Sequence, residues 1–379
     1  LKPFGVQAAG SRRRPKDGAW PLEHARVMGI GASSAAEAEG PGTAAPPAEF
    51  HVVGDALVDV IAAGLPNIPA WGDDANAAAI RSSAGGSALN TAVHLAGLAG
   101  RRGCPVSLHG CVGADGFAHV LRARLREAGV VDRLAALPDE PTGSCIVLSG
   151  ASDRAFVTCA GASGKIASDH LTGVSDALRR SAGPCHVHFG GVYAYGPLRF
   201  QLAELIGGWR QEAARRGVGL TVSLDVNGHE ASHVEGLREA LPAVDLLKGN
   251  EAEVAAVAAC CGGEAALEAL AQGGAEAAPG RGLALVTTVG GRGARFTCAS
   301  GTGRAEASRV DVQDTTGAGD ACCAGLLFAR VAESKDWGAA LEFGCAAGAV
   351  NCTRLGGCSE PVTVEAVETL LRQCRRRAG

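Results

Sequence analysis

The sequence predicts an α/β fold. From residue 106 onward, short apolar runs typical of buried strands alternate with segments whose apolar residues recur at helical spacing, and this alternation is typical of βαβ units. Two β-type runs, residues 142–149 and 154–159, interrupt it around a Gly-Ala-Ser-Asp turn, which predicts a hairpin. With residues 64–84, we expect the segment 141–160 to form a small β lid over a cleft.

The predicted elements can be justified in chain order. Glu49–Asp55 is an apolar run that predicts a first buried strand, and residues 58–62 continue its pattern. Residues 115–128 place Phe117, Val120, Leu121 and Leu125 on one helical face before Gly129 stops the helix. Further strands are predicted at residues 106–112, 185–190, 219–225, 244–248, 283–288 and 294–298, and further helices at residues 198–216, 232–241, 337–354 and from 364 onward.

Composition excludes several functional classes. The 379 residues are 47% hydrophobic and 20% charged, with a net charge of −4, so we expect a soluble globular protein without the basic surface that nucleic acid or an anionic membrane requires. Apolar runs are too short for a membrane helix. The 14 cysteines contain no Cys-x-x-Cys spacing, which favours a reducing intracellular compartment over disulfides or structural zinc. The cytoplasm and a plastid both stay open.

Residues 1–48 differ from the rest of the chain. They are rich in Ala, Gly, Pro and Glu, carry the basic cluster Arg12-Arg13-Arg14 and lack a sustained apolar period. This composition predicts a disordered tail, followed by a folded domain over residues 49–379. A targeting or leader role is compatible with the basic residues, but the acidic residues Asp17, Glu23, Glu37 and Glu39 argue against organelle import.

The most informative stretch is Asp314-Thr-Thr-Gly-Ala-Gly-Asp320, which opens directly onto an apolar helical run. Gly317, Ala318 and Gly319 carry almost no side chain, so an anion such as phosphate can approach the positive end of the helix. A carboxylate beside a phosphate site suits a base that takes the proton of an attacking hydroxyl. We therefore interpret Asp320 as a general base; the alternative is an Asp that merely caps a helix.

A second group of candidate residues follows the first predicted strand. Asp55 and Asp59 lie at or beyond its carboxyl end, where open parallel sheets bind ligands, and two carboxylates there can accept hydrogen bonds from a sugar. Gly85 and Gly86 allow close backbone approach, Ser87 can cap the next helix, and Asn90 projects an amide from its first turn. Loop solvation and a plain glycine turn are the structural alternatives.

These two stretches resemble the two signatures of the ribokinase family of carbohydrate kinases, also called the PfkB family. The window DTTGAGDACCAGLLFA is similar to the C-terminal signature, and Gly85-Gly86 followed by Asn90 is similar to the N-terminal one. The resemblance covers roughly residues 49–373. It implies a ribokinase-like, doubly wound, mostly parallel sheet with helices on both faces, a small β lid, and transfer of the ATP γ-phosphate to a primary hydroxyl of a sugar.

The resemblance also implies the remaining site residues. Asn250, Thr288 and Gly290, with Gly317 and Gly319, would bind ATP, and Glu253 of the Asn-x-x-Glu motif would hold Mg²⁺ through water. Asn250 and Glu253 equally form a capping box, and both interpretations are compatible. A monovalent cation such as K⁺ would bind near Asp314 and Thr316, and a homodimer through the lid would be compatible with the family.

The resemblance leaves the acceptor open, since the family often carries Asn where this chain has Asp55. The alternatives are a nucleoside kinase of the adenosine type and, from another class, a non-catalytic scaffold or regulatory relative, against which the intact Asp320 argues. Other nucleotide-binding devices are missing from the sequence: a Walker A loop, an His-Arg-Asp loop, and a Gly-x-Gly-x-x-Gly turn after the first strand.

Overall fold

The structure is a computed structural model that describes residues 46–150, 154–192, 196–228, 234–273 and 282–378. The tail predicted for residues 1–48 lies outside this part except for its last three residues. These belong to the folded domain, because Ala48 is buried in the core and the carbonyl of Pro47 packs against Gly183. The domain therefore includes residues 46–48, which the sequence assigned to the tail.

The described residues form thirteen strands. In chain order they are β1 Glu49–Gly54, β2 Leu57–Leu65, β3 Ala79–Gly85, β4 Val106–Val112, β5 Val131–Ala136, β6 Ser144–Gly150, β7 Arg154–Cys159, β8 Cys185–Gly190, β9 Leu220–Asp225, β10 Leu246–Asn250, β11 Ala284–Thr288, β12 Ala294–Cys298 and β13 Gly301–Ala305. Nine of them form the main sheet in the order β13-β12-β11-β10-β9-β8-β1-β4-β5. Its pairs are parallel from β11 to β5, and β12 and β13 add an antiparallel edge.

The helices are α1 Ser87–Ala99, α2 Gly116–Ala128, α3 Thr172–Arg180, α4 Leu202–Arg216, α5 Leu237–Ala240, α6 Glu251–Cys260, α7 Glu264–Ala271, α8 Ala318–Leu327, α9 Trp337–Cys352 and α10 Val364–Ala378. They cover both faces of the main sheet. One apolar cluster joins the sheet to α1, α2, α8, α9 and α10, and a second joins it to α3 through α7. The predicted doubly wound, mostly parallel architecture is confirmed.

A separate four-stranded sheet has the order β3-β2-β6-β7. The hairpin predicted for residues 142–149 and 154–159 is its antiparallel pair β6–β7. Residues 58–62, whose apolar pattern follows that of the first strand, belong to β2 of this second sheet. Apolar character alone did not indicate that these residues belong to a different sheet from β1, because Val58 is fully buried.

Helix α2 illustrates what local signals predict well. The Asp115 carboxylate accepts the N–H of Ala118 at 3.1 Å and caps the helix, and Gly129 ends it in the left-handed conformation with φ of 71°. Leu121 and Leu125 are buried as expected. Phe117, expected inside, is 36% exposed.

Among the described residues, no single helix is long and apolar enough to cross a bilayer. The pair α6–α7 meets the length and composition criteria only when both helices are counted together, and the two are bent by 95°. Its residues Val254, Val257 and Leu267 are buried in the second apolar cluster.

Candidate active site

Asp320 lies in the first turn of α8 and is only 7% exposed. Its side chain does not cap the helix, since the N-cap is Gly317 and has no side-chain partner. The carboxylate instead reaches across to α1: Oδ1 accepts the Ser87 hydroxyl at 2.8 Å, and Oδ2 accepts the Asn90 amide at 2.8 Å. The capping alternative is therefore wrong for Asp320, and so is the expectation that Ser87 caps α1.

The environment of Asp320 suits a base that works near neutral pH. Burial raises the pKa of its carboxyl to about 7; the hydrogen bond from Asn90 opposes this rise, whereas the nearby charge of Asp225 adds to it. An ordinary Asp would be a much weaker proton acceptor. A carboxyl with a pKa near 7 can accept a proton and release it again under the same conditions.

Gly317 precedes α8 in the left-handed conformation, with φ of 72°. A Cβ there would overlap the backbone of Gly357, and one on Gly357 would lie 2.8 Å from the Asn90 amide nitrogen. The turn is therefore packed backbone against backbone. Of the three predicted anion-binding residues, Ala318 already uses its N–H within the turn, where it donates to the Thr315 carbonyl at 3.2 Å.

Asp55 is almost fully buried and accepts the N–H of Ala88 at 2.9 Å. Its carboxylate thereby supports the start of α1, while the left-handed Gly86, with φ of 100°, packs against the Asp55 carbonyl. Burial raises the pKa of Asp55 to about 6, although the N–H donors of α1 oppose the rise. The structure thus places Asp55 beneath the site as a support for the helix.

Asp59 and Asn90 are two further residues that the sequence assigned to the acceptor site. Asp59 is half-buried on β2, and a Cβ on Gly85 would collide with its carboxylate. Burial and then the charge of Asp55 raise the pKa of Asp59 to about 6. The Asn90 side-chain oxygen is buried without a hydrogen-bond partner, and such an orphaned acceptor can be satisfied by a hydroxyl donor.

Ala318 and Gly319 line a cavity of about 380 Å³. Its walls are mostly apolar and come from the end of β11, the segment 307–315, and the facing helices α8 and α9; they include Thr288, Gly290, Val310, Val312, Cys322, Cys345 and Gly348. Thr288 and Gly290 thus line it as expected. The volume falls in the usual range for small-molecule sites.

Asn250 and Glu253 stand at the carboxyl end of β10, beside Thr288 of β11 in the strand register. The Asn250 side chain accepts the N–H of Glu253 at 3.0 Å, and the Glu253 carboxylate accepts the N–H of Asn250 at 2.7 Å. The predicted capping box is confirmed. A carboxylate held at this edge also offers the oxygen ligands that Mg²⁺ prefers, so both interpretations remain compatible.

Asp314 and Thr316 tie two loops together. The Asp314 carboxylate accepts both the N–H and the hydroxyl of Thr316, at 3.0 and 2.7 Å, and the N–H of Gly356 at 3.0 Å. The Thr316 carbonyl accepts the Asn351 amide at 2.8 Å. Because these three donors already offset the charge of the Asp314 carboxylate, the two loops do not require a cation to stay together. K⁺ binding near Asp314 and Thr316 stays a prediction.

Sequence reasoning missed two features behind the site. Asn227, with φ of 50°, accepts the Ser87 hydroxyl and the N–H of Gly191, each at 3.0 Å. Lys248 and Asp225 form a buried ion pair, Nζ to Oδ2, at 2.5 Å beneath Gly319. The position of Asp225 and Lys248 near the carboxyl ends of β9 and β10 was the one signal that they could belong to a binding site. Nothing in the sequence indicates which side chains point toward Asp320.

Comparison with known proteins identifies the relatives of this chain. It is 27% identical over 234 residues to an adenosine kinase of Schizophyllum commune, covering 59% of this chain and 66% of that protein. It is 44% identical over 61 residues to an uncharacterized sugar kinase of Dictyostelium discoideum, covering 16% and 17% of the two chains. The alignments thus span at most about two thirds of these relatives.

Solved structures with the same fold cover nearly all of the described chain. Ribokinase from Giardia lamblia superposes with a TM-score of 0.68 at 20% identity, covering 87% of this chain and all of that one. A putative ribokinase II from E. coli, solved in complex with ATP and Mg²⁺, superposes with a TM-score of 0.67 at 22% identity, covering 86% and 100%. The model of the pfkB family carbohydrate kinases matches residues 48–363, and the chain therefore belongs to that family.

Proposed function

We propose that this pfkB family kinase transfers the γ-phosphate of ATP to a primary hydroxyl of a sugar, with Asp320 as the general base. The observation that carries the proposal is Asp320, which is buried, has a raised pKa, and lies in the same helical turn as Ala318 and Gly319, two residues that line the apolar cavity. The acceptor hydroxyl would lie near Asp59 and Asn90, and the nucleotide near Thr288 and Gly290.

In this mechanism the acceptor hydroxyl gives its proton to Asp320 as its oxygen attacks the γ-phosphorus, and the bond to the ADP oxygen breaks. The N-terminus of α8, at Gly317 to Gly319, would stabilise the charge on the phosphoryl group. Ser87 has a single hydroxyl proton and two acceptors, Asp320 and Asn227. It donates to Asp320 while that carboxylate is ionised and is free to donate to Asn227 once Asp320 is protonated.

Asn250 and Glu253 would hold Mg²⁺ through water at the edge of the nucleotide site. When bound, the ion neutralises charge on the nucleotide phosphates. The protein's own contribution there is to fix the Glu253 carboxylate, which the capping box does before any ligand arrives.

An adenosine-type nucleoside acceptor is the second candidate. It is supported by the adenosine kinase of Schizophyllum commune among the relatives and by the register of the small sheet. Asp59 pairs with Cys145, and Val147 pairs with both Ile61 and Phe156, so apolar side chains share the face of Asp59. A base could pack on them. Turnover with a panel of sugars and nucleosides separates the two acceptors.

Asp320→Asn tests the general base. The substitution keeps the size of the side chain but removes the proton acceptor, and general-base contributions are about 10²–10⁴-fold. We expect turnover to fall at least about a hundred-fold, with ATP affinity unchanged or slightly higher because a negative charge near the phosphates is gone. Steady-state kinetics and nucleotide titration measure both. The matched control is Asp336→Asn, which caps α9 far from the cavity centre; near-normal turnover of Asp320→Asn would refute the catalytic role.

The raised pKa of Asp320 also predicts a pH-dependent stability difference. The folded carboxyl holds its proton up to about pH 7, whereas the unfolded one loses it near pH 4. Between these values the folded state binds more protons, so ionisation costs the wild type stability as pH rises. Asp320→Asn lacks this cost. We expect the melting temperature of the variant, minus that of the wild type, to be larger at pH 8 than at pH 5; a constant difference would contradict the raised pKa.

Asp59→Asn tests the acceptor side. Losing one charge-assisted hydrogen bond is worth about 1.5–3 kcal/mol, or roughly ten- to a hundred-fold in affinity. We expect the KM for the phosphate acceptor to rise by that factor while the KM for ATP stays unchanged, since the two ligands meet only at the transferred phosphate. Asp74→Asn, an exposed acid in the connection between β2 and β3, is the control for general charge effects. Equal weakening of both ligands would rule out the assignment.

The small sheet supports the expected homodimer. Ile80, Ile146 and Val157 lie on one face of it and are 73%, 46% and 60% exposed, and contiguous exposed apolar residues are typical of interaction surfaces. We expect Val157→Asp to convert a dimer into a monomer in light scattering. A monomeric wild type would exclude this interface.

A further inference from the structure

A group of potential metal ligands lies at the edge of the main sheet opposite the candidate active site. Glu49 and Cys185 begin β1 and β8 and are directly paired in the parallel register. His51 follows on the same face of β1, two residues along. One ligand atom from each of the three, a carboxylate oxygen, a ring nitrogen and the thiol sulfur, lies within 4.8 Å of the other two.

His51 provides a second, independent observation. Its Nε2 atom is buried without a hydrogen-bond partner, and the Glu49 carboxylate oxygen is 3.8 Å away, beyond hydrogen-bonding distance. A buried polar atom without a partner is costly unless something else satisfies it. The orphaned nitrogen belongs to a ring that has a nitrogen within 4.8 Å of both the Glu49 carboxylate and the Cys185 thiol, the two groups that would complete a metal site.

The other ring nitrogen of His51 has a partner of its own. Nδ1 lies 3.3 Å from Nε2 of His109 on the neighbouring strand β4, and this contact fixes the ring orientation, as a hydrogen bond from the second nitrogen does in ligand histidines. The Glu49 carboxylate is likewise oriented, because it accepts the Ser181 hydroxyl at 2.7 Å.

We propose that Glu49, His51 and Cys185 bind a zinc ion, with a water molecule as the fourth ligand. Zinc combines thiolate, imidazole and carboxylate ligands at about 2.0–2.3 Å in a tetrahedron, which places the ligand atoms roughly 3.5 Å apart. No two of the three atoms are more than 4.8 Å apart, so each pair must approach by at most about 1.3 Å. The partly exposed side chain of Glu49 has room for this movement, and the thiol proton of Cys185 leaves to solvent as the Zn–S bond forms.

The donor set selects zinc over the ion proposed for catalysis. A thiolate and an imidazole are soft or intermediate ligands that Mg²⁺ and Ca²⁺ avoid, since both prefer oxygen. The site is also remote from Asp320: it lies at the amino ends of β1 and β8, whereas Asp55 follows the carboxyl end of β1, and a six-residue parallel strand is roughly 16 Å long. The ion would join two central strands and act on stability.

Zinc binding by the full-length chain tests the proposal. After removal of metals with a chelator, we expect the wild type to bind one equivalent of Zn²⁺ and to gain thermal stability. Cys185→Ser and His51→Asn should each weaken binding at least about a hundred-fold, and His109→Gln about ten- to a hundred-fold, the usual effect of a residue that orients a ligand. Cys104→Ser, another buried cysteine, and His170→Asn are the matched controls and should bind as the wild type does.

Cobalt substitution keeps the test decisive if a variant fails to fold. Co²⁺ bound by a cysteine thiolate gives a sulfur-to-metal charge-transfer band, which we expect in the wild type and in Cys104→Ser and not in folded Cys185→Ser. Absence of stoichiometric Zn²⁺ binding, absence of that band in the wild type, or equal Zn²⁺ affinity of wild type and Cys185→Ser would each overturn the proposal.

Discussion

The carboxylate of Asp320, held by Ser87 and Asn90, is the interaction on which the rest of the site depends. It joins the first turn of α8 to the first turn of α1, two helices from opposite ends of the domain sequence. The Asn90 side-chain oxygen has no hydrogen-bond partner among the described residues, whereas the single hydroxyl proton of Ser87 is shared between Asp320 and Asn227. The network therefore orients the base and leaves the Asn90 oxygen for a ligand.

Close backbone packing makes this junction possible. Gly317 lies on Gly357, Gly357 lies against Asn90, and Gly86 lies on the carbonyl of Asp55. A side chain at any of these positions would separate the helices and lengthen the hydrogen bonds to Asp320. His94 and Arg124 hold the loop of Gly357 and Cys358 from behind by bonding to its carbonyl oxygens, at 2.9 and 2.6 Å. The glycines thus have a packing role in addition to any contact with phosphate.

The site also concentrates buried charge, which explains why its ionisable groups are perturbed. Burial raises the pKa of Asp55, Asp59 and Asp320. Burial lowers the pKa of Lys248, but the adjoining Asp225 more than reverses this, so the lysine stays charged. The Lys248 ammonium lies behind Gly319, but Asp225 offsets most of its charge, so the pair supplies a local dipole there and not a free positive charge. Such an arrangement costs stability and is typical of functional sites.

The sequence by itself determined the fold class, most of the elements and several of the residues that meet at Asp320, because those properties follow from local signals. Strand and helix periods, the capping box at Asn250, and the glycine-flanked turn before Asp320 are each encoded within a few neighbouring residues. Tertiary structure decided what these groups touch. Residues 58–62 belong to the second sheet, and the Asp55 carboxylate supports the start of α1. The Asp320 carboxylate bonds to Ser87 and Asn90 and does not cap its own helix. The tertiary structure also brought Glu49 and His51 beside Cys185. Such contacts join segments that are distant in the chain, and their distances depend on how whole elements pack, so no local pattern encodes them.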